Sequence, residues 1–227
     1  MYPLGKQFEY DYSRAACDKK VSVQGPNYRI SVLTERVVRL EFSPTGQFND
    51  KPTQLIKRRQ LALPDFSMSQ DANIWQIDTK YFVLSYIKGH PFVGTKGDPM
   101  HNLKITLKSN DRDRCKDWFY GHPEARNLYG NMVGVDVGLP APLQRGIYSL
   151  DGFASIDDST TKRIESDGTL SDPLPNTIDI YVFLYDKDFK QALFDYFKIT
   201  GAPPLIPRYA LGNWWSRNID YDDIKIS

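Results

Sequence analysis

The stretch RVVRLEF, residues 36 to 42, alternates so that Val38, Leu40 and Phe42 fall on one side of an extended backbone and Arg39 and Glu41 on the other. A repeat of two marks a strand with one buried and one wet face, so a half-buried strand is expected, its charged residues turned to solvent. Similar readings fit YRISVL (28 to 33), NIWQID (73 to 78), YFVLSYI (81 to 87), LKITL (103 to 107) and TIDIYVFLY (177 to 185), each bounded by Gly, Pro, Asn, Asp or Ser. Many strands with no helical stretch between them predict two packed antiparallel sheets over residues 19 to 185.

Composition fits such a core. The chain has 227 residues, of which 41% are hydrophobic and 13% aromatic, enough for one large β domain or two smaller units. Its 29 basic and 28 acidic residues nearly cancel, so no overall field favours nucleic acid or an anionic membrane, and a neutral or locally recognised ligand is expected. The N-terminal MYPLGKQFEYDYSRAACDKK carries charges and tyrosines where a secretory signal needs an apolar run, and no stretch reaches membrane-span length. A cytoplasmic protein is the default. Cys17 and Cys115 lie far apart without CxxC spacing and are expected to be reduced thiols, while His90, His101 and His122 are scattered singly, without metal-ligand spacing. Nothing implies a metal or an organic cofactor.

Residues 109 to 175 read differently. Gly, Pro, Asp and Ser punctuate them so heavily that only short strands such as GFASID (152 to 157) are expected. A loop-rich insertion that also carries Trp118, Phe119, Tyr120, Tyr129, Tyr148 and Phe153 is a candidate functional region. The period then changes again. In DKDFKQALFDYFKITG (186 to 201), Phe189, Ala192, Leu193, Tyr196 and Phe197 recur at helical spacing behind a capping Asp186 or Asp188, which predicts one amphipathic helix over 187 to 199. Gly201, Pro203 and Pro204 stop it, so a boundary is expected at 202/203, with a first domain of residues 1 to 202 and a linker opening a second unit at 203 to 227. Next, YALGNWW reads as an apolar strand of the kind buried on both sides in a parallel sheet or barrel.

Three segments carry a resemblance. PRYALGNWWSR (207 to 217), RGIYSLDGFASIDDS (145 to 159) and NLYGN (127 to 131) resemble, in chain order, segments of glycoside hydrolase family 31, the α-glucosidases and α-xylosidases. The resemblance implies a mainly β fold, a galactose-mutarotase-like antiparallel sandwich followed by one helix and the first strand of a truncated (β/α)8 barrel. It also implies a retaining mechanism on α-linked oligosaccharides, its two aspartates on later barrel strands beyond Ser227, so that no catalytic residue is expected in this chain and its missing partner is the catalytic barrel. Asp157 and Asp158 cannot fill that role, because neighbours on a strand point to opposite faces and do not flank one bond.

What the resemblance leaves to this chain is substrate contact at the rim of the site. Asp157 and Asp158 are candidates for accepting hydrogen bonds from sugar hydroxyls; the alternative is that they cap their loop and pair with Arg145 or Arg163. Trp214 and Trp215 are candidates for stacking on a pyranose, alternation allowing only one of them to face the substrate, and otherwise belong to a barrel core. Arg217 is read as a strand-end ion-pair partner or a rim contact. Asn218 stands where the family often has an aromatic residue, a departure that bears on the preferred linkage. A second reading from the residues alone is a non-catalytic sandwich module that binds carbohydrate or protein. Without a barrel beside it, the tail around Tyr209 to Trp215 would fold back on the sandwich, stay mobile, or associate with another copy through its apolar edge.

Overall fold

The computed structural model describes residues 11–92, 102–112, 115–130, 143–203 and 205–212. Two five-stranded antiparallel sheets dominate. The first runs β1 (Ser22–Gln24), β2 (Tyr28–Thr34), β3 (Val37–Phe42), β12 (Ile178–Leu184) and β9 (Phe153–Asp157). The second is the meander β4 (Phe66–Gln70), β5 (Ile74–Thr79), β6 (Phe82–Ile87), β7 (Leu103–Leu107) and β8 (Asp117–Phe119). A two-stranded ribbon, β10 (Arg163–Ile164) and β11 (Leu170–Ser171), stands beside them. The chain builds three strands of the first sheet, crosses to complete the second, then returns to add β9 and β12, so its first and last strands share a sheet. Among the described residues no helix is long and apolar enough to cross a membrane.

The alternation in β2, β3 and β12 sends Ile30, Val32, Val38, Leu40, Val182 and Leu184 between the sheets, where they meet Ile77, Phe82, Leu84, Ile105 and Trp118. The register read from RVVRLEF is therefore the observed one, with Val38 and Leu40 enclosed and Phe42 partly buried. The expected solvent face is not wet, however. Arg39 is 0% exposed and Glu41 2%. The outward side of the first sheet is covered by a helix, α1 (Phe189–Thr200), and by the segment 49–61, which build a second core of Leu33, Val37, Ile56, Tyr181, Phe183, Ala192 and Ile199. Alternation tells which residues share a face, and distant parts of the chain decide whether that face meets water.

Covering charges requires partners for them. Cross-strand register supplies the first set: Arg29 lies opposite Glu41, and Glu41 opposite Asp179, while Arg39 sits in the next row beside Tyr181. The Arg29 guanidinium donates to Glu41 at 2.5 and 2.9 Å, and that of Arg39 grips Asp179 at 2.8 and 2.6 Å. The covering segment completes the set, because Arg39 also donates to the Asn49 carbonyl at 2.8 Å and Arg59 to the Tyr181 hydroxyl at 2.6 Å.

Helix α1 starts at Asp188, whose Oδ1 accepts from the Gln191 amide at 3.1 Å, and ends at Gly201, whose φ of +88° takes the chain out of the helix. Its buried line is Ala192, Asp195 and Ile199, while Leu193 and Phe194, at 37% and 61%, face outward. Of the stripe that spacing suggests, Ala192 is buried and Phe189 and Tyr196 pack against the second core, while Leu193 is turned out. Asp195 joins the buried side and accepts from Gln191 at 3.0 Å and Lys198 at 2.8 Å. After α1, Arg208–Leu211 form a 3-10 turn where the strand expected over 209 to 215 would begin, and residues 213 to 215 of that stretch lie outside the described residues. With no described strand beside it, the segment satisfies backbone groups locally, Ala210 N donating to Pro207 O and Gly212 N to Tyr209 O.

Candidate functional site

Two of the three resembling segments are neighbours in space. The Leu128 amide donates to the Tyr148 carbonyl at 2.8 Å, Gly130 and Gln144 exchange backbone bonds at 2.8 and 3.0 Å, and Leu150 N donates to Arg126 O at 3.0 Å. Asn127 stitches the pairing from its side chain, donating to Gly146 O at 2.8 Å and accepting from Gly146 N at 3.1 Å. NLYGN and the start of RGIYSLDGFASIDDS therefore form the two legs of one irregular hairpin, which runs on into edge strand β9. Its legs leave Leu128, Tyr129, Leu143 and Leu150 exposed at 52%, 42%, 60% and 43%. Exposed apolar side chains at this density are a feature of contact regions.

The hairpin is anchored by Glu124. This residue is fully buried beside edge strands β8 and β9, where its Oε1 accepts from Ser155 Oγ and, at 3.3 Å, from Trp118 Nε1. Its backbone amide donates to Nδ1 of His122 at 3.0 Å, and the His122 ring packs edge-on against Phe153. Glu124 and Tyr129 both adopt left-handed backbone, with φ of +46° and +56°, which side chains of this kind rarely do. Burial pushes the Glu124 carboxyl above its ordinary range, against its hydrogen bonds from Ser155 and Trp118 and the attraction of Arg145. Its Oε2 has no hydrogen-bond partner among the described residues.

The two candidate aspartates part company at the end of β9. Asp157 is exposed, pairs in the ladder with Ile180, and accepts from the Ser159 amide at 2.9 Å. Asp158 turns inward, its side chain 0% exposed, and accepts from Thr53 Oγ1 at 2.9 and 3.0 Å with Arg59 Nη2 at 3.6 Å. Its cationic partner is thus Arg59, on the covering segment, in place of Arg145 or Arg163. Arg163 instead donates to the Asp172 carbonyl at 2.8 Å. Burial, together with repulsion from Asp179, pushes the Asp158 carboxyl up to about 6, against the bonds from Thr161 and Thr53 and the pull of Arg59. Trp214, Trp215, Arg217 and Asn218 lie outside the described residues.

Glu124 went unread in the sequence. HPEARN offers no spacing that marks a carboxylate as buried, and only the aromatic density of residues 109 to 175 hinted that this loop region was built for something.

No protein-family model matches the chain. It is 25% identical over 236 residues to an isomaltosyltransferase from Sporosarcina globispora, a match covering 85% of this chain and 21% of that protein. Among solved structures, a Flavobacterium johnsoniae GH31 dextranase with bound isomaltotriose aligns with a TM-score of 0.45 and 16% identity, over 82% of this chain and 27% of that one. The same dextranase with glucose gives 0.44 and 14% over equal shares. The chain therefore spans 21% of its curated relative and 27% of these solved ones. The solved relatives carry the family name, GH31, of the group that the three sequence segments resemble.

Proposed function

We propose that this chain is the N-terminal portion of a retaining α-glucosidase-type glycoside hydrolase that removes terminal α-linked sugars from oligosaccharides. In this reading the sandwich shapes the rim of the active site and the catalytic aspartates lie on a barrel outside residues 1 to 227. One observation carries it: NLYGN and RGIYSLDGFASIDDS, which resemble the family separately, form one hydrogen-bonded hairpin with an exposed apolar surface. The match to the isomaltosyltransferase over most of the chain supports a carbohydrate setting. A cytoplasmic setting fits the free thiols of Cys17 and Cys115.

The chemistry assigned to the whole enzyme needs two carboxyl groups about 5 to 5.5 Å apart, one attacking the anomeric carbon and one protonating the leaving oxygen. This chain contributes positioning. Asp157 is exposed at the strand end, where its free carboxylate oxygen can accept from neighbouring sugar hydroxyls. Asp158 is assigned to the support beneath it, through Thr53 and Arg59. Either Trp214 or Trp215 stacks on a pyranose, while Arg217 and Asn218 complete the rim.

The test compares residues 1 to 227 with the product of the whole coding sequence in which they lie, using an aryl α-glucoside and isomaltose. The shorter chain is expected to give no turnover above a heat-killed control, and the longer one to release sugar first as the α-anomer by NMR. Turnover by the shorter chain, or release of the β-anomer, sinks the reading. A longer product that binds sugars without cleaving them points instead to a non-catalytic binding module.

A further inference from the structure

A cavity of about 470 Å³ lies away from the hairpin, between the β2–β3 turn, the segment 61–64 and helix α1. That volume falls within the size of small-ligand sites. One wall is aliphatic, from Leu61, Ala62 and Pro64, and the other is polar, from Glu35, Arg36 and the α1 residues Gln191, Asp195 and Lys198.

The charges on the polar wall are largely spent on one another. Lys198 pairs with the buried Asp195 at 2.8 Å, Gln191 donates to the same carboxylate at 3.0 Å, and Arg36 pairs with Asp188 at 3.3 Å. Two groups of opposite sign keep capacity to bind. The Glu35 carboxylate has no hydrogen-bond or ion-pair partner among the described residues, and Arg14 reaches only the Gln60 carbonyl, at 3.3 and 3.4 Å. One acceptor on the β2–β3 turn and one donor beside the Leu61 segment, without net charge between them and with aliphatic side chains in the same lining, match a neutral polyhydroxylated ligand. Its hydroxyls would answer both groups, and its C–H face would lie on Leu61 and Pro64. An anion would meet Glu35, and a cation would meet Arg14.

Another cavity adjoins it. Of about 470 Å³, it shares Arg36 and Tyr81 with the first, the guanidinium stacked 3.8 Å from the ring centre. Its charges are paired too, Lys108 with Asp78 at 2.6 Å and Lys187 with Asp111 at 3.0 Å. Two such cavities on either side of one stacked pair offer room for successive units of a linear ligand. From this geometry we propose a non-catalytic binding site for a neutral oligosaccharide, with Glu35 and Arg14 as its hydrogen-bonding contacts. The site goes beyond the catalytic reading, since it requires only that this chain bind, and binding and hydrolysis fail separately.

The experiment titrates the 15N-labelled 227-residue chain with isomaltotriose to about 50 mM, where a millimolar site is saturated. Saturable amide shifts are expected at residues 34–36, 61–63 and 191–198. Glu35→Ala and Arg14→Ala, each with an unchanged melting temperature, are expected to weaken binding about tenfold. A variant that melts early is replaced by Glu35→Gln or Arg14→Lys, which keep the side chain's bulk and are expected to weaken binding less. The absence of saturable shifts at these residues overturns the proposal. So do shifts confined to the 127–150 hairpin, or binding that survives both alanine variants.

Discussion

Toward the second sheet, strands β2, β3 and β12 present Ile30, Val32, Val38, Leu40, Val182 and Leu184; toward α1 and the segment 49–61 the same strands present, beside Leu33, Val37 and Phe183, the charged and polar set Arg29, Arg39, Glu41, Asp179 and Tyr181. Both sides are buried, by different physics. The apolar side gains from area removed from water and tolerates swaps of similar volume. The charged side depends on each ion having its partner, because a lone charge left out of water is heavily penalised. The difference teaches that burial alone does not say how a face responds to substitution or pH.

Breaking one ion pair should give the largest effect. Arg39→Ala leaves Asp179 and Glu41 buried without their shared cation and is expected to cost about 3 to 5 kcal/mol in urea unfolding. Leu40→Ala, one residue along and on the apolar face, should cost about 2 to 5 kcal/mol through its cavity, with little dependence on pH. The decisive comparison is repair. Replacing Arg39 and Asp179 together by Met and Leu should recover much of the loss, whereas no second substitution on the apolar face should rescue Leu40→Ala so well. Strict additivity of the Arg39 and Asp179 changes would break the contrast.

How much of this was legible follows from the same residues. RVVRLEF and TIDIYVFLY gave the strands and their inward sides, because alternation is local. That Arg39 and Glu41 are enclosed was hidden, since their cover comes from Asn49, Arg59 and α1, far along the chain. The helix was legible to within two residues at its start and one at its end. Its packed side was legible in Phe189, Ala192 and Tyr196, but the inward place of Asp195 was not, because hydrophobicity assigns an aspartate to the other side. At the candidate site, the aromatic loops and Asp157 were visible as residue types. Their assembly into a hairpin pinned by Glu124 rests on backbone bonds between segments that no short-range pattern connects.

The pH response sharpens the contrast at a smaller scale. The Asp158 carboxyl is raised to about 6 from an ordinary 3.8, so between those values the folded chain binds more protons than the unfolded one. Stability contributed by this group must therefore fall as pH rises from 4 toward 6, by at most about 3 kcal/mol at 1.36 kcal/mol per pH unit. Asp179 acts in the opposite sense. Despite its burial, Arg39 holds it below the ordinary range, so its contribution is present above that range and lost as pH falls through it. Asp158→Asn, which keeps an acceptor for Thr53, should lessen the slope between pH 4 and 6, the remainder coming from Glu41 and Glu124, whose carboxyls burial also raises, and leave the acid limb due to Asp179. An unchanged slope in that window would remove Asp158 from the account.

The smallest stability effect is expected at the hairpin, and it tests whether the hairpin is a third kind of region, apolar yet not part of either core. Leu128 is 52% exposed, and what holds its segment is the backbone bond to Tyr148 with the clasp of Asn127, neither of which uses the leucine side chain. Leu128→Ser should therefore shift unfolding by less than about 0.5 kcal/mol, as for other surface positions. If the hairpin lines the rim of a glycosidase site, the same change in the product of the whole coding sequence should raise KM for an oligosaccharide while leaving kcat nearly unaltered, the mark of lost uniform binding. Asn127→Ala, which cuts the clasp, should lower both stability and activity. A loss above about 1 kcal/mol for Leu128→Ser would mean that the side chain packs as core residues do, and the hairpin would then be an extension of the sandwich and no contact surface at all.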